Sequence, residues 1–265
     1  MSEQSTEEIA APVNATAESG NDVANGSAWA KPTHHVTVSG APKEAMNINV
    51  EGRHLVSPLQ GFGQMWQKTF RIQLTGVEKT PAEVMAAWKA NFQKFQPPEN
   101  KFYPTMSGIK PGEAILIEGK VPPLPGMPSI MPVATGVMVL YADDESFTVM
   151  NPEGHPLSGW NTFSVFEDEG VLFAQVQEQS RPSDPLYELF FRFLGSSEQQ
   201  DKIWLHVLKS LADYYGVRSE EVKVEKVLMD PSVQWSEAKN ITKSAAIRTA
   251  FYVIGTPIRW VKKKI

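Results

Sequence analysis

The sequence predicts an α+β domain in which one curved antiparallel sheet wraps around a long helix near the C-terminal end. Three observations predict it. The stretch Gly154–Pro182, GHPLSGWNTFSVFEDEGVLFAQVQEQSRP, contains two strand-like runs, Trp160–Phe166 and Val171–Gln179, joined by the acidic turn Glu167-Asp168-Glu169-Gly170. Several further strand-like runs precede it with no helical pattern between them, so chain neighbours pair as antiparallel hairpins. Ser197–Tyr215 then carries Ile203, Trp204, Val207, Leu208, Leu211 and Tyr215 at helical spacing, with Gly216 as the stop signal.

The elements follow in order. Residues 1–40 are rich in Ala, Ser, Asn, Thr and Glu without hydrophobic period, and read as a disordered leader. The folded domain is expected over residues 57–229. Trp66, Phe70, Ile72 and Leu74 alternate with polar residues, as a strand does. Thr80-Pro81-Ala82-Glu83 combines a capping threonine, proline at the first helical position and glutamate at the capping-box position. Val84, Trp88, Phe92 and Phe95 continue at helical spacing, and Pro97-Pro98 closes the helix. Strands are expected at Glu113–Glu118, Thr135–Tyr141 and Ser146–Met150, the last two joined by a turn at Asp143-Asp144. Between the first two lies VPPLPGMPSIMP, residues 121–132, in which five prolines among twelve residues predict a stiff irregular loop. Asp184–Leu194 reads as a short aromatic helix, and residues 220–229 fit either helix or strand.

Composition narrows the functional classes. Apolar residues make up 42% of the 265, enough for a sizeable core, and the net charge of -5 argues against a general nucleic-acid surface. There is no cysteine, hence no disulfide, thiol nucleophile or thiolate metal site. MSEQSTEEIA lacks an apolar signal-peptide region, and no apolar run approaches the ~18 residues a bilayer span needs. The expected location is the cytoplasm. Charge is uneven: residues 1–30 hold acidic residues and no Lys or Arg, whereas seven basic residues and no acidic one occur from Ala238 onward. Residues 238–265 are therefore expected to form a basic amphipathic tail.

The residues Gly154, His155, Pro156, Ser158, Gly159 and Phe163, followed by Ser180, Arg181 and Pro182, resemble a bacterial and plant domain-of-unknown-function family within the START and birch-pollen-allergen-like superfamily. The element order from Trp66 to Gly216 fits as well, so the resemblance covers roughly the middle 150 residues. It implies the helix-grip fold and a cavity for a hydrophobic ligand. That superfamily includes carriers, sensors and a minority of enzymes, and the family supplies no established reaction. One departure is that the family often has an acidic residue where this chain has Trp160, so no polar role is read there.

His155, on a constrained Gly-His-Pro corner, can hydrogen-bond a ligand or act as an acid–base group; alternatively it caps backbone carbonyls. Arg181 can grip an anionic head group at a cavity mouth, or it pairs locally with Asp184, which also caps the following helix. Glu178 shares a strand face with Leu172, Ala174 and Val176, so period-two geometry turns a carboxylate inward, where it needs partners; otherwise it sits in water or pairs with Arg181. Trp66, Trp160 and Trp204 can line a cavity or pack the core. In the tail, Phe251, Ile254, Ile258 and Trp260 with Lys262, Lys263 and Lys264 have the composition of an interfacial helix, alternatively one docked on the domain.

No metal site and no cofactor are expected. Gly61-Phe62-Gly63 lacks a dinucleotide fingerprint, and Asp143-Asp144-Glu145 lacks calcium-loop spacing. The function expected is binding of a hydrophobic small molecule or lipid in an internal cavity, with no nucleic-acid partner. The alternatives are an enzyme of cyclase, isomerase or hydrolase type using His155 and Glu178 in the same cavity, and a peripheral membrane or scaffold protein acting through an anionic-membrane contact of residues 238–265.

Overall fold

The computed structural model describes residues 28–103, 107–121, 131–218 and 220–254. Eight strands form one antiparallel sheet: β1 (Met65–Gln73), β2 (Lys101–Tyr103), β3 (Ala114–Val121), β4 (Met131–Ala142), β5 (Ser146–Met150), β6 (Leu157–Asp168), β7 (Val171–Pro182) and β8 (Lys223–Asp230). Their spatial order is β2-β3-β4-β5-β6-β7-β1-β8. The consecutive strands β2 to β7 are hairpin neighbours, as expected of short connections, and β1 closes the far side by pairing with both β7 and β8. The helices are α1 (Pro81–Ala90), α2 (Pro185–Phe193), α3 (Ser196–Tyr214) and α4 (Ala245–Ile254). A sheet curved around α3 is the helix-grip arrangement, and the α+β expectation holds.

Local chemistry sets the element ends. Thr80 Oγ1 accepts from Glu83 N at 3.2 Å while Glu83 Oε2 accepts from Thr80 N at 2.9 Å, completing the capping box; such a cap contributes about 1 kcal/mol. A 3-10 turn at Phe92–Phe95 then carries the aromatic series past the end of α1. Asp184 Oδ1 accepts from Leu186 N and Tyr187 N at 2.8 and 3.0 Å, so Asp184 caps α2. Between β6 and β7, Glu169 and Gly170 both adopt positive φ, as a tight two-strand turn needs.

The main core lies on the concave face. Phe70, Ile72, Ala174, Val176 and Phe163 meet Val207, Leu208, Leu211 and Ala212 of α3, with Val84, Met85 and Trp88 of α1 behind. Phe147 and Phe163 stack at 4.5 Å, and Trp88, Phe92 and Trp204 meet Phe163 edge-on. These offset and T-shaped pairs are the geometries aromatic quadrupoles favour.

The structure decides or revises four expectations. Residues 220–229 resolve as strand, because Val224–Val227 pair with β1. Residues 28–40, assigned by composition to a leader, lie against the sheet: Trp29 bridges Tyr141, and Val36 and Val50 join Ala114, Leu116 and Met138 on the convex face. An irregular coat needs only isolated apolar anchors, which show no period. The two ends of the Gly154–Pro182 hairpin are not separate corners. Leu157, Ser158 and Gly159 pair with Pro182, Arg181 and Ser180, so both motifs form one paired strand end. Finally, α4 docks through Ala245, Ala246 and Thr249 rather than through Phe251 and Ile254, because Thr249 Oγ1 accepts from Ala134 N and Asn49 Nδ2, both at 3.1 Å. The proline-rich segment 122–130 and the tail residues Ile258, Trp260, Lys262, Lys263 and Lys264 lie outside the described residues.

Candidate ligand cavity

The helix α3 rests on β1, β7 and the Phe92–Phe95 turn. It does not close over the other half of the concave face, and a cavity of about 720 Å³ lies there. Its walls are the inward residues of β3 to β6, among them Ile117, Val137, Val149 and Phe163, together with Tyr187, Phe190 and Phe191 of α2 and Ile203 and Trp204 of α3. The exposed side chains Glu99, Lys120, Glu198 and Lys202 ring it. Cavities of this size with mostly apolar walls are the usual form of small-molecule sites.

A polar clasp holds α3 to the β1–β7 half of the sheet. Glu178 is 1% exposed and points inward, as period-two geometry requires. Its Oε1 accepts from Ser180 Oγ at 2.6 Å, and its Oε2 accepts from Gln200 Nε2 at 2.8 Å and from the Trp204 indole N–H at 3.0 Å. Beside it on β1, the buried Lys68 donates to Asp201 Oδ1 at 2.8 Å and to Ser197 Oγ at 3.1 Å. Lys226 of β8 also reaches Asp201. Two buried charges of opposite sign, adjacent on the sheet, are thus met by four side chains in the first half of α3. Such groups are tolerated in an interior only when paired and hydrogen-bonded.

The structure sorts the candidate residues. Trp204 and His155 line the cavity. His155 Nδ1 lies 3.0 Å from both Leu157 N and Leu157 O, so the backbone of Leu157 anchors the ring in either tautomer. Burial pushes the imidazole down to about 4, so it is neutral near pH 7. Glu178 is not among the cavity-lining residues; both its oxygens are engaged, with Gln200 and Trp204 between it and the space. The two acid–base candidates are therefore not presented together. Arg181 is 1% exposed and lies away from the cavity, paired with Asp230 at 2.7 Å rather than with Asp184 or Glu178. Its stem packs against Gly61, where even a Cβ would lie 2.5 Å from Arg181 Cγ. Trp160 projects from the convex face, opposite in parity to the inward Asn161 and Phe163. Trp66, opposite Ser180 and Leu228, is likewise outside the cavity lining, because β1 lies beneath α3 and not beneath the cavity.

The residues missed in the sequence are Thr135, Asn151 and Asn161. Each lines the cavity, and each sits among apolar inward neighbours: Val133 and Val137, Phe147 and Val149, Phe163 and Val165. A polar residue interrupting an apolar strand face was the available signal.

Neither a family model nor a curated protein sequence matches the chain. Similar solved structures include protein Ms6760 from Mycobacterium smegmatis, at 11% identity and a TM-score of 0.37, covering 56% of this chain and 89% of its own. Ara h 8.0201 covers 56% of this chain and 97% of its own at 13% identity and a TM-score of 0.37. Protein CV1439 from Chromobacterium violaceum covers 55% and 96% at 15% identity and a TM-score of 0.36. At such scores the fold is read from the strand order of this chain and not from these likenesses. Among the described residues no helix is long and apolar enough to cross a membrane.

Proposed function

We propose that the protein binds a hydrophobic small molecule, of lipid class, in the cavity between α3 and strands β3 to β6. The observation that carries this reading is a space of about 720 Å³ beside an amphipathic helix that the Glu178 and Lys68 clasps hold to the opposite half of the sheet. The mostly apolar walls of this space offer dispersion contacts to an apolar ligand. The motif resemblance over Gly154–Gly159 and Ser180–Pro182 supports the same reading. The test is native mass spectrometry of the purified protein beside a Val137→Trp variant that fills the space. A ligand retained by the parent and lost from a folded variant is expected. A parent that retains nothing and binds no apolar fluorescent probe overturns the reading.

A second reading attaches to the tail. Phe251 and Ile254, each 72% exposed, end the docked helix α4, and Trp260 and Lys262–Lys264 follow in sequence. This supports contact with an anionic membrane surface, where each basic residue adds about 1 kcal/mol. Because Ala245 and Ala246 belong to the fold, the informative truncation is after Ile254. Flotation with phosphatidylserine vesicles should lose the truncated chain and keep the full one; equal flotation dismisses the tail.

A further inference from the structure

The apolar cavity has a polar floor. Thr135 of β4, Asn151 just after β5 and Asn161 of β6 are 5%, 1% and 7% exposed, and all three line the cavity. Their oxygens Thr135 Oγ1, Asn151 Oδ1 and Asn161 Oδ1 have no hydrogen-bond partner among the described residues. The strands β4, β5 and β6 are neighbours in the sheet, and Val149 of β5 lies opposite both Val139 and Asn161, so the three groups gather on adjacent inward strand faces. Asn151, which continues β5, is the diagonal neighbour of Thr135 on one side and of Asn161 on the other, the spacing at which groups on one sheet face can share a partner.

The amide of Asn151 is fixed in orientation. Its Nδ2 donates to Leu157 O at 2.9 Å, which turns Oδ1 away from that carbonyl as an acceptor. Leaving a buried acceptor unpaired is costly, so this oxygen calls for a donor. The cations that line the cavity, Lys120 and Lys202, are both exposed, and His155 on the floor side is uncharged near neutral pH. Among the described residues no buried cation lines the cavity to compensate a carboxylate or phosphate, which would also face the side-chain oxygens.

Resting on the binding function proposed above, we infer that the ligand is an uncharged amphiphile whose polar end, a hydroxyl or amide N–H, donates into the cluster of acceptor oxygens of Asn151, Asn161 and Thr135. Its apolar body lies along Phe163, Trp204 and Ile203.

The test is equilibrium dialysis of the full chain against decanol, its methyl ether and decanoate, three probes of equal chain length. Decanol alone offers an O–H at neutral pH. It should bind at least about tenfold more tightly than the other two, because a site built to accept from a donor discriminates against analogues lacking it. Asn151→Leu would also remove the bond that holds Leu157, so the variants used are Asn161→Leu and the near-isosteric Thr135→Val, each checked for folding by its thermal melt. In both, the preference for decanol should fall towards one. Equal binding of all three probes by the parent, with the variants unchanged, means that water serves these oxygens; it overturns the inference and leaves the cavity function standing. Tighter binding of decanoate overturns it too. Binding of none of the three overturns both.

Discussion

The indole N–H of Trp204 donates to Oε2 of Glu178 at 3.0 Å, and this bond ties the long helix to the middle of β7. Glu178→Leu removes the acceptor for Trp204, Gln200 and Ser180 together. We expect a loss of about 3 kcal/mol, because several buried donors are stranded at once. Glu178→Gln, which keeps an acceptor oxygen, should cost less. Urea denaturation of the three proteins checks the order.

The glycines of the paired strand end are required by close backbone approach. Gly159 has φ of +145°, and a Cβ there would run into the Gln179 carbonyl oxygen and lie 2.8 Å from Ser180 Cα. Gly154, at φ of +84°, faces the Lys243 carbonyl, and its own oxygen accepts from Ala245 N at 2.8 Å. Alanine at either position should cost about 3 kcal/mol or more, since rigid backbone must move. Gly170→Ala, with a similar φ of +78° and nothing within 4 Å, is the control and should cost about 1 kcal/mol. A thermal-melt series reads the difference.

Phe163 joins the aromatic core to the cavity wall. Phe163→Ala removes the stacked contact with Phe147 and three edge contacts, and should cost about 3–5 kcal/mol. Phe163→Leu should recover more than half of that loss. Chemical denaturation measures both.

Acid should act in two separate windows. His155 has a folded pKa of about 4 against 6.5 when unperturbed, so the unfolded chain takes up the proton first. Stability is then complete above pH 6.5 and declines as pH falls towards 4, by at most about 3 kcal/mol. Asp230 is held down to about 2 by the Ser232 hydroxyl and then by the Arg181 guanidinium, so its contribution persists to pH 3.8 and is lost below it. Unfolding free energy measured against pH should flatten in the first window for His155→Gln and in the second for Asp230→Asn.

Much of the fold was legible because its elements obey local rules. The capping box at Thr80, the alternation of Phe70, Ile72 and Leu74, the acidic turn before Val171 and the apolar stripe of Val207, Leu208 and Leu211 each encode one element without reference to the rest. The inward carboxylate of Glu178 was legible in the same way, since alternation alone fixes its face. The site was less so. Trp160 and Trp66 have the size and hydrophobicity of cavity residues, and only the sheet order shows that one lies on the convex face and the other on the strand beneath α3. Thr135, Asn151 and Asn161 are distant in sequence, and each alone is an ordinary polar residue.

What the sequence by itself determined is the set of elements, their amphipathic faces and the antiparallel sense of the sheet, because these follow from periods of 2.0 and 3.6 residues and from short connections. What only the tertiary structure decided is where the space lies. Arg181 chose Asp230 over nearer acids, α4 docked on alanines and a threonine, and Lys68 with Glu178 drew α3 to one half of the sheet. Those choices depend on distances between residues up to about 200 positions apart, such as Asn49 and Thr249, which no local pattern encodes.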